Sequence, residues 1–301
     1  MKIITKFQLK VPMNKFGPAK TIYIKILNRV DNKFKSIYEL IFLRKYRLIC
    51  QRLPLYLSSS GGDSKSRGFF ALAAAQSTIP LIVELMNSQK KTVDKETLVE
   101  DFFKAKNGSD ADLLLLAQIF THQGSDKASY HNYHYLYTAL FPERMKDLKI
   151  FEIGLGTNNM DVISNMGRLG VPGASLRSFR EFFPSSNIFG ADIDKRVLFQ
   201  ENRIKTFFID QLDQKSFSPI KKELAESIDL FVDDGFHSPD ANINSLMLGL
   251  RLVKKGGWVV IEDIPTRSKP IWDLLFLIMK KDYEVHILKA RHSYIFLVRK
   301  G

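Results

Sequence analysis

Apolar residues follow two different rhythms along this chain, and the change of rhythm divides it. From residue 148 onward, short apolar runs (LKIFEI, NIFGAD, KTFFI, IDLFV, GWVVI) alternate with stretches of helical spacing. Runs of that kind suit strands buried on both faces, and helices between them set the strands parallel. Strands are expected at 148–153, 187–192, 205–209, 228–232 and 257–261, then at 284–288 and 294–298. Helices are expected at 174–183, 216–226, 239–253 and 270–280. Only Lys289-Ala290-Arg291-His292-Ser293 joins the last two strands, which makes them an antiparallel hairpin. The expected architecture is α/β: a doubly wound, Rossmann-like sheet of seven strands ending in that hairpin.

Upstream the spacing is helical. Residues 68–120 read as short helices: Pro80 interrupts the first, Asn107-Gly108 ends another, and Ser109-x-x-Asp112 caps the run DLLLLAQIF. Ser58-Ser59-Ser60-Gly61-Gly62-Asp63-Ser64 is a small, polar joint. Before it, Ser36-x-x-Glu39 is a capping pattern that opens a helix over 37–50. Three regions result: a basic segment over 1–65, a helical segment over 66–120, and the α/β domain over 121–301.

Composition narrows the class. With 45% hydrophobic and 26% charged residues the 301-residue chain is globular in type. The single cysteine, Cys50, rules out a disulfide framework and a Cys-rich zinc site. No stretch reaches the length of a spanning helix, and lysines break up the N-terminal apolar residues as they would not in a signal peptide, so a cytoplasmic protein is expected. Net charge is the outlier at +13, and thirteen Lys/Arg against Asp31 and Glu39 place +11 of it in residues 1–55. The rest of the chain is nearly neutral.

The candidate chemistry lies at the strand ends. Glu152-x-Gly154-x-Gly156 closes the first strand, and glycines there let the backbone turn tightly and approach a ligand. The third glycine of a dinucleotide-binding turn is replaced by Asn159. Asp192 closes the second strand, where a carboxylate can accept both hydroxyls of a ribose. Asp210-Gln211 closes the third, placed for an adenine amino group. These ends converge on the crevice where open α/β sheets bind ligands, which points to a nucleoside. The fourth and fifth strands end in Asp233-Asp234 and Glu262-Asp263. Adjacent residues point to opposite faces, yet three such carboxylates make an oxygen-rich site for Mg²⁺ or a similar hard cation. His237, on the turn after Asp234, is a candidate general base.

Five parallel strands finishing in a hairpin are the usual sheet of class I methyltransferases. Residues 121–265 resemble the metal-dependent sugar O-methyltransferases of macrolide biosynthesis (the mycinamicin type) and their cephalosporin hydroxylase-like relatives. The shared segments are HQGSDKASYHNYHYLYTALF, FEIGLGT, PGASLRSFREFFP, IFGADID, IDQLD, VDDGFH and VIEDI. The resemblance implies S-adenosylmethionine as cofactor, with contacts at Glu152, Gly154, Gly156, Asp192, Asp210, Gln211 and Asp233. It implies Asp234, Glu262 and Asp263 as metal ligands, and Asp234 with His237 as the catalytic pair. Ser125, Lys127 and Tyr130 match a loop that closes over the cofactor. In that segment Tyr133, Leu136, Tyr137 and Leu140 have core spacing, and His122, His131 and His134 read as surface or hydrogen-bonded residues.

The reading is therefore a metal-assisted O-methyltransferase acting on a sugar hydroxyl of a glycan or glycosylated metabolite. Nucleic-acid methylation is the alternative raised by the basic segment; a near-neutral catalytic region and the lack of an Asn-Pro-Pro-Tyr-like motif argue against a nucleic-acid partner. A nucleoside-binding scaffold without catalysis is the other. The basic residues 1–55 are expected to meet an anionic membrane surface, with a homo-oligomer arm as the rival.

Overall fold

The computed structural model describes residues 78–85 and 96–301. The basic segment 1–55, the helix expected over 37–50 and the joint at 58–64 lie outside the described residues. Residues 78–85 are helical, with Pro80 inside that stretch.

The alternating segments form the sheet their pattern demands. One short edge strand, β1 (Thr97–Leu98), precedes β2 (Lys149–Ile153), β3 (Asn187–Asp192), a second short edge strand β4 (Gln200–Glu201), β5 (Ile204–Phe208), β6 (Ile228–Asp233), β7 (Val253–Ile264), β8 (Glu284–Lys289) and β9 (Tyr294–Arg299). The spatial order is β1-β8-β9-β7-β6-β2-β3-β5-β4. Five strands, β5-β3-β2-β6-β7, are mutually parallel, and β9 then β8 continue the sheet antiparallel. Those seven are the expected strands in the class I methyltransferase order. The two-residue strands at either edge raise the count to nine among the described residues; neither has an apolar run that sequence patterning would register.

Helices cover both faces, which is why the strands are apolar throughout rather than alternating. On one side α1 (Val99–Ala105), α2 (Asp110–Gln123), α3 (His134–Leu140) and α4 (Ala174–Phe182) bury Ile150, Leu230, Val232 and Leu297. On the other, α5 (Ser218–Leu224), α6 (Pro239–Leu252) and α7 (Lys269–Met279) bury Phe151, Phe231, Val259 and Phe296. The Ser109 hydroxyl caps α2 through the Asp112 amide, and Gly124 ends it in a left-handed turn at φ 82°. That turn hands the chain to the 125–133 loop, which fronts the sheet's carboxyl edge. Among the described residues no helix is long and apolar enough to cross a membrane.

Because β3 leaves β2 on one side and β6 on the other, the connections diverge at the carboxyl end of β2 and open a crevice there. Away from it, the Arg203 guanidinium closes the amino edge. It donates to the carbonyls of Arg180 (3.0 Å), Phe183 (3.2 Å) and Ser186 (2.7 Å), at and just past the end of α4, of which Phe183 also accepts from the Ser186 amide. Arg203→Ala is expected to cost about 1–2 kcal/mol of stability in denaturant titration. Unchanged stability would mean that water replaces the guanidinium without loss.

Candidate active site

Two cavities open at the crevice. The first, of about 430 Å³, lies against Gly154, Gly156, Asp192, Asp194, Asp210 and Gln211, with Ile193, Ile209 and Leu212 giving it apolar walls. The second lies against Ser125, Lys127, His131, Tyr133, His237 and Asp263. Gly154, Gly156, Ser164, Asp234 and Gly235 line both. The two spaces therefore meet over the ends of β2 and β6.

The glycine turn shapes the junction. Gly154 has φ 95°, and a Cβ there would fall far inside contact with the Asp234 carbonyl oxygen. Only glycine lets the β2 end pass this close to the chain leaving β6. Asp192 holds the turn from β3: its oxygens accept from the Leu155 and Asp194 amides, each at 2.8 Å. The Gly156 amide also hydrogen-bonds this carboxylate, which with about four lone-pair sites still has capacity for a ligand hydroxyl. Burial pushes the Asp192 carboxyl up, and these backbone amides oppose it. Asp194, two residues on and so on the same side as Asp192, accepts from Thr157 Oγ1 and Asn159 Nδ2 at 2.7 Å each and pairs with Arg196. Arg196 holds its carboxyl well below the usual range. Thr157, Asp194 and Arg196 were not singled out from the sequence; the Asp-x-Asp spacing of ADID was the available signal.

Several expected cofactor contacts stand elsewhere. Glu152 is fully buried, accepting from the Ser175 hydroxyl at 2.6 Å, and Asp233 is fully buried among Gln211, Asn242 and the Gly235 amide. Tyr130 is 53% exposed and stacks on His292. These three line neither cavity. The cause for Asp233 is strand alternation: it turns toward α6 while Asp234 turns to the crevice. Gln211 does line the first cavity, but its amide is spent on protein, donating to Asp233 and Ser245 and accepting from the Phe236 amide. Ser125 and Lys127 front the second cavity rather than the first.

Lys127 is the residue around which the carboxylates gather. Its ammonium, on a side chain 2% exposed, lies 2.7 Å from Asp234 Oδ2 and 3.2 Å from Glu152 Oε1, and pairs with Glu262. Burial opposes its charge, but Asp234, Glu262 and Glu152 outweigh that and raise its pKa well above the ordinary lysine value. Glu262 also accepts from the Tyr137 hydroxyl. Asp263 is gathered separately, by the Tyr133 and Ser293 hydroxyls and by His131 Nδ1 at 3.0 Å. A register irregularity between Ile261 and Ile264 and a φ of 52° at Asp263 break the alternation at the β7 end. Glu262 then faces the buried lysine while Asp263 reaches the open cavity.

The predicted metal ligands therefore fall into two sets sharing Asp234. Donor atoms of Glu152, Asp234 and Glu262 lie within 4.8 Å of one another, as do those of Asp234, His237 and Asp263. Asp234 and Glu262 fit a hard cation, since both already converge on one positive group through carboxylate oxygens, whereas Asp263 is grouped with Asp234 and His237 instead. His237, at φ 57°, puts Nε2 4.0 Å from Asp234 Oδ1.

The core spacing read in this segment holds, since Tyr133, Leu136, Tyr137 and Leu140 are all buried. Two of them, Tyr133 and Tyr137, also carry the hydroxyls that fix Asp263 and Glu262. His131 and His134 titrate in opposite directions. Burial opposes charge on His131, yet Asp126 and Asp263 push it up to about 10; burial and then Arg291 push His134 down to about 4. A raised histidine stabilises below its unfolded value and loses that as pH climbs toward 10; a lowered one stabilises above that value and loses it as pH falls toward 4. In EDTA, thermal stability is thus expected to fall away from neutrality on both sides. His131→Asn should flatten the alkaline limb and His134→Asn the acid limb; limbs unchanged in both variants would contradict these assignments.

The sheet order and the two joined cavities define a class I methyltransferase fold, and comparison with known proteins agrees. No family model matches the chain. It is similar to the 8-demethyl-8-alpha-L-rhamnosyl tetracenomycin-C 2'-O-methyltransferase of Streptomyces olivaceus, 29% identical over 176 residues (57% of this chain, 43% of that protein). It is also similar to the mycinamicin VI 2''-O-methyltransferase of Micromonospora griseorubida, 31% identical over 128 residues (42% of this chain, 30% of that protein). Among solved structures it resembles the MycE methyltransferase of the mycinamycin biosynthetic pathway, in complex with Mg, SAH and mycinamycin VI. The TM-score is 0.51 at 23% identity, over 62% of this chain and 54% of that one. The chain spans less than half the length of these curated relatives. It has the class I fold and resembles sugar O-methyltransferases of macrolide and tetracenomycin pathways.

Proposed function

We propose that this chain is an S-adenosylmethionine-dependent O-methyltransferase acting on a sugar hydroxyl of a glycosylated acceptor, assisted by a divalent cation such as Mg²⁺. The observation that carries the reading is the meeting of the two cavities at Gly154, Gly156, Asp234 and Gly235, with His237 on the acceptor side. A nucleoside cofactor suits the first cavity: Asp192 offers lone pairs for ribose hydroxyls, Asp210 stands nearby, and Ile193, Ile209 and Leu212 suit a base. The cofactor supplies an electrophilic methyl group. The acceptor sugar enters the second cavity. His237 takes the proton of its hydroxyl at Nε2, and Asp234 and Asp263, whose donor atoms lie within 4.8 Å, favour the imidazolium that results. Asp234, Glu262 and Asp263 would hold the cation, which when bound adds positive charge beside the hydroxyl and lowers its pKa. The buried hydroxyls of Tyr133 and Tyr137 hold Asp263 and Glu262 in place.

The names of the relatives, a rhamnosyl tetracenomycin-C 2'-O-methyltransferase and a mycinamicin VI 2''-O-methyltransferase, support this acceptor class. Mass spectrometry of glycosides and surface glycans from cells with and without the chain tests it. One sugar is expected to lose a methyl increment when the chain is absent; an unchanged methylation pattern would count against the reading. The +11 segment is the proposed membrane contact, and anionic liposomes should sediment the full chain but not a version starting at Ser64. Equal sedimentation of both would dismiss that role.

A further inference from the structure

The seat between β6 and β7 already holds a cation, and it belongs to the protein. Lys127 Nζ rests on Asp234 Oδ2 at 2.7 Å and on Glu262, two of the three carboxylates expected to bind metal. Both carboxylates use one oxygen on the ammonium. Glu262 accepts from Tyr137 on its other oxygen, so both of its oxygens are already engaged, one of them by the ammonium, while Lys127 is in place. The third neighbour, Glu152, is fully buried, and its Oε1 receives no hydrogen bond among the described residues although the ammonium is 3.2 Å away. Three carboxylates thus face a single positive charge, a balance that leaves room for an ion of higher charge. Lys127 arrives on the 125–133 loop, outside the strands, and the loop is tied separately by Tyr133 to Asp263 and by Asn132 to the Arg291 amide, so the lysine side chain can turn away while those ties stay in place.

We infer that Lys127 and a divalent cation compete for one seat formed by Asp234 and Glu262, so that loading the ion releases the Lys127 side chain from those carboxylates. The metal-free chain is held shut by its own ammonium; the loaded chain frees the lysine toward the second cavity, which it lines. Lysine position and ion occupancy are then linked, each opposing the other by the same factor. The inference rests on the cation of the proposed function and not on methyl transfer itself.

Two measurements on the full chain, dialysed against EDTA, test it with Mn²⁺ as the probe. In the first, acetic anhydride labels accessible amines and peptide mass spectrometry reads each lysine. Lys127 is expected to stay unlabelled without Mn²⁺ and to gain at least about fivefold in labelling at saturation, while Lys104 and Lys106 stay constant. In the second, electron paramagnetic resonance of free Mn²⁺ gives affinity. Lys127→Met is expected to bind at least about tenfold more tightly than the unmodified chain, and Lys127→Arg no more tightly than it. Binding by Lys127→Met alone would support the same exchange, with the ammonium holding the seat outright. Continued protection of Lys127 at Mn²⁺ saturation would overturn it, as would failure of both forms to bind Mn²⁺. Should Lys127→Met not fold, the labelling of the unmodified chain decides. Methyl transfer assayed separately distinguishes the two ideas: its absence would refute the proposed reaction while a Mn²⁺-driven exposure of Lys127 still stood.

Discussion

His237→Asn is expected to lower methyl transfer by about 10²–10⁴-fold, the range for loss of a general base, while cofactor affinity stays as it was. The separation follows from placement. His237 lines the second cavity and not the first, so its loss deprives the acceptor hydroxyl of a proton acceptor without touching the cofactor walls. Asparagine is the informative replacement because His237 sits at φ 57°. Asparagine tolerates that left-handed conformation, whereas alanine adds a backbone cost of about 1–2 kcal/mol. Equal losses in the asparagine and alanine variants, with unchanged melting of the asparagine form, assign the loss to chemistry. Full activity in His237→Asn would remove the base from the mechanism.

Gly154→Ala is expected to weaken cofactor binding by about 100-fold, the equivalent of backbone strain of roughly 3 kcal/mol. Here the new Cβ meets a main-chain carbonyl, that of Asp234, which cannot rotate aside, and φ 95° strains any side chain in addition. Relief requires the ends of β2 and β6 to part, and both cavities are built on that junction. Gly156→Ala is the contrast. Its φ of 77° carries similar strain, but its Cβ meets the far end of the Met166 side chain, which can move. Calorimetric titration with S-adenosylhomocysteine should therefore rank the losses Gly154→Ala above Gly156→Ala. The reverse order would mean that the turn is held by something other than the approach of these two strands.

The sheet and its glycine turn were legible in the chain because both are local. Five apolar runs with helices between them leave little choice of topology, and Gly154 lies at the end of one of them. The positions of Asp192, Asp234 and Asp263 at the crevice followed from the same reasoning. What escaped it depended on which face a strand-end residue takes and on contacts distant in sequence. Asp233 and Glu152 stand at strand ends, but alternation and burial turn them into the protein. Lys127 matched a loop expected to lie over the cofactor; it reaches Glu262, 135 residues away, and no spacing rule pairs them. Tyr133 and Tyr137 read correctly as core, yet their hydroxyls position the carboxylates, and an apolar period says nothing of where a buried hydroxyl points. The edge strands β1 and β4, two residues each, leave no pattern at all.

The proposed reaction passes a methyl group from the cofactor in the first cavity to a sugar in the second. The transfer of isotopically labelled methyl from S-adenosylmethionine by the full chain with Mg²⁺, offered a panel of rhamnosyl and other deoxysugar glycosides, measures it most directly. The label should appear on one sugar oxygen of an accepted glycoside, dependent on His237 and on Asp234. Label that reaches no sugar, or that reaches one equally well in His237→Asn, would contradict the account.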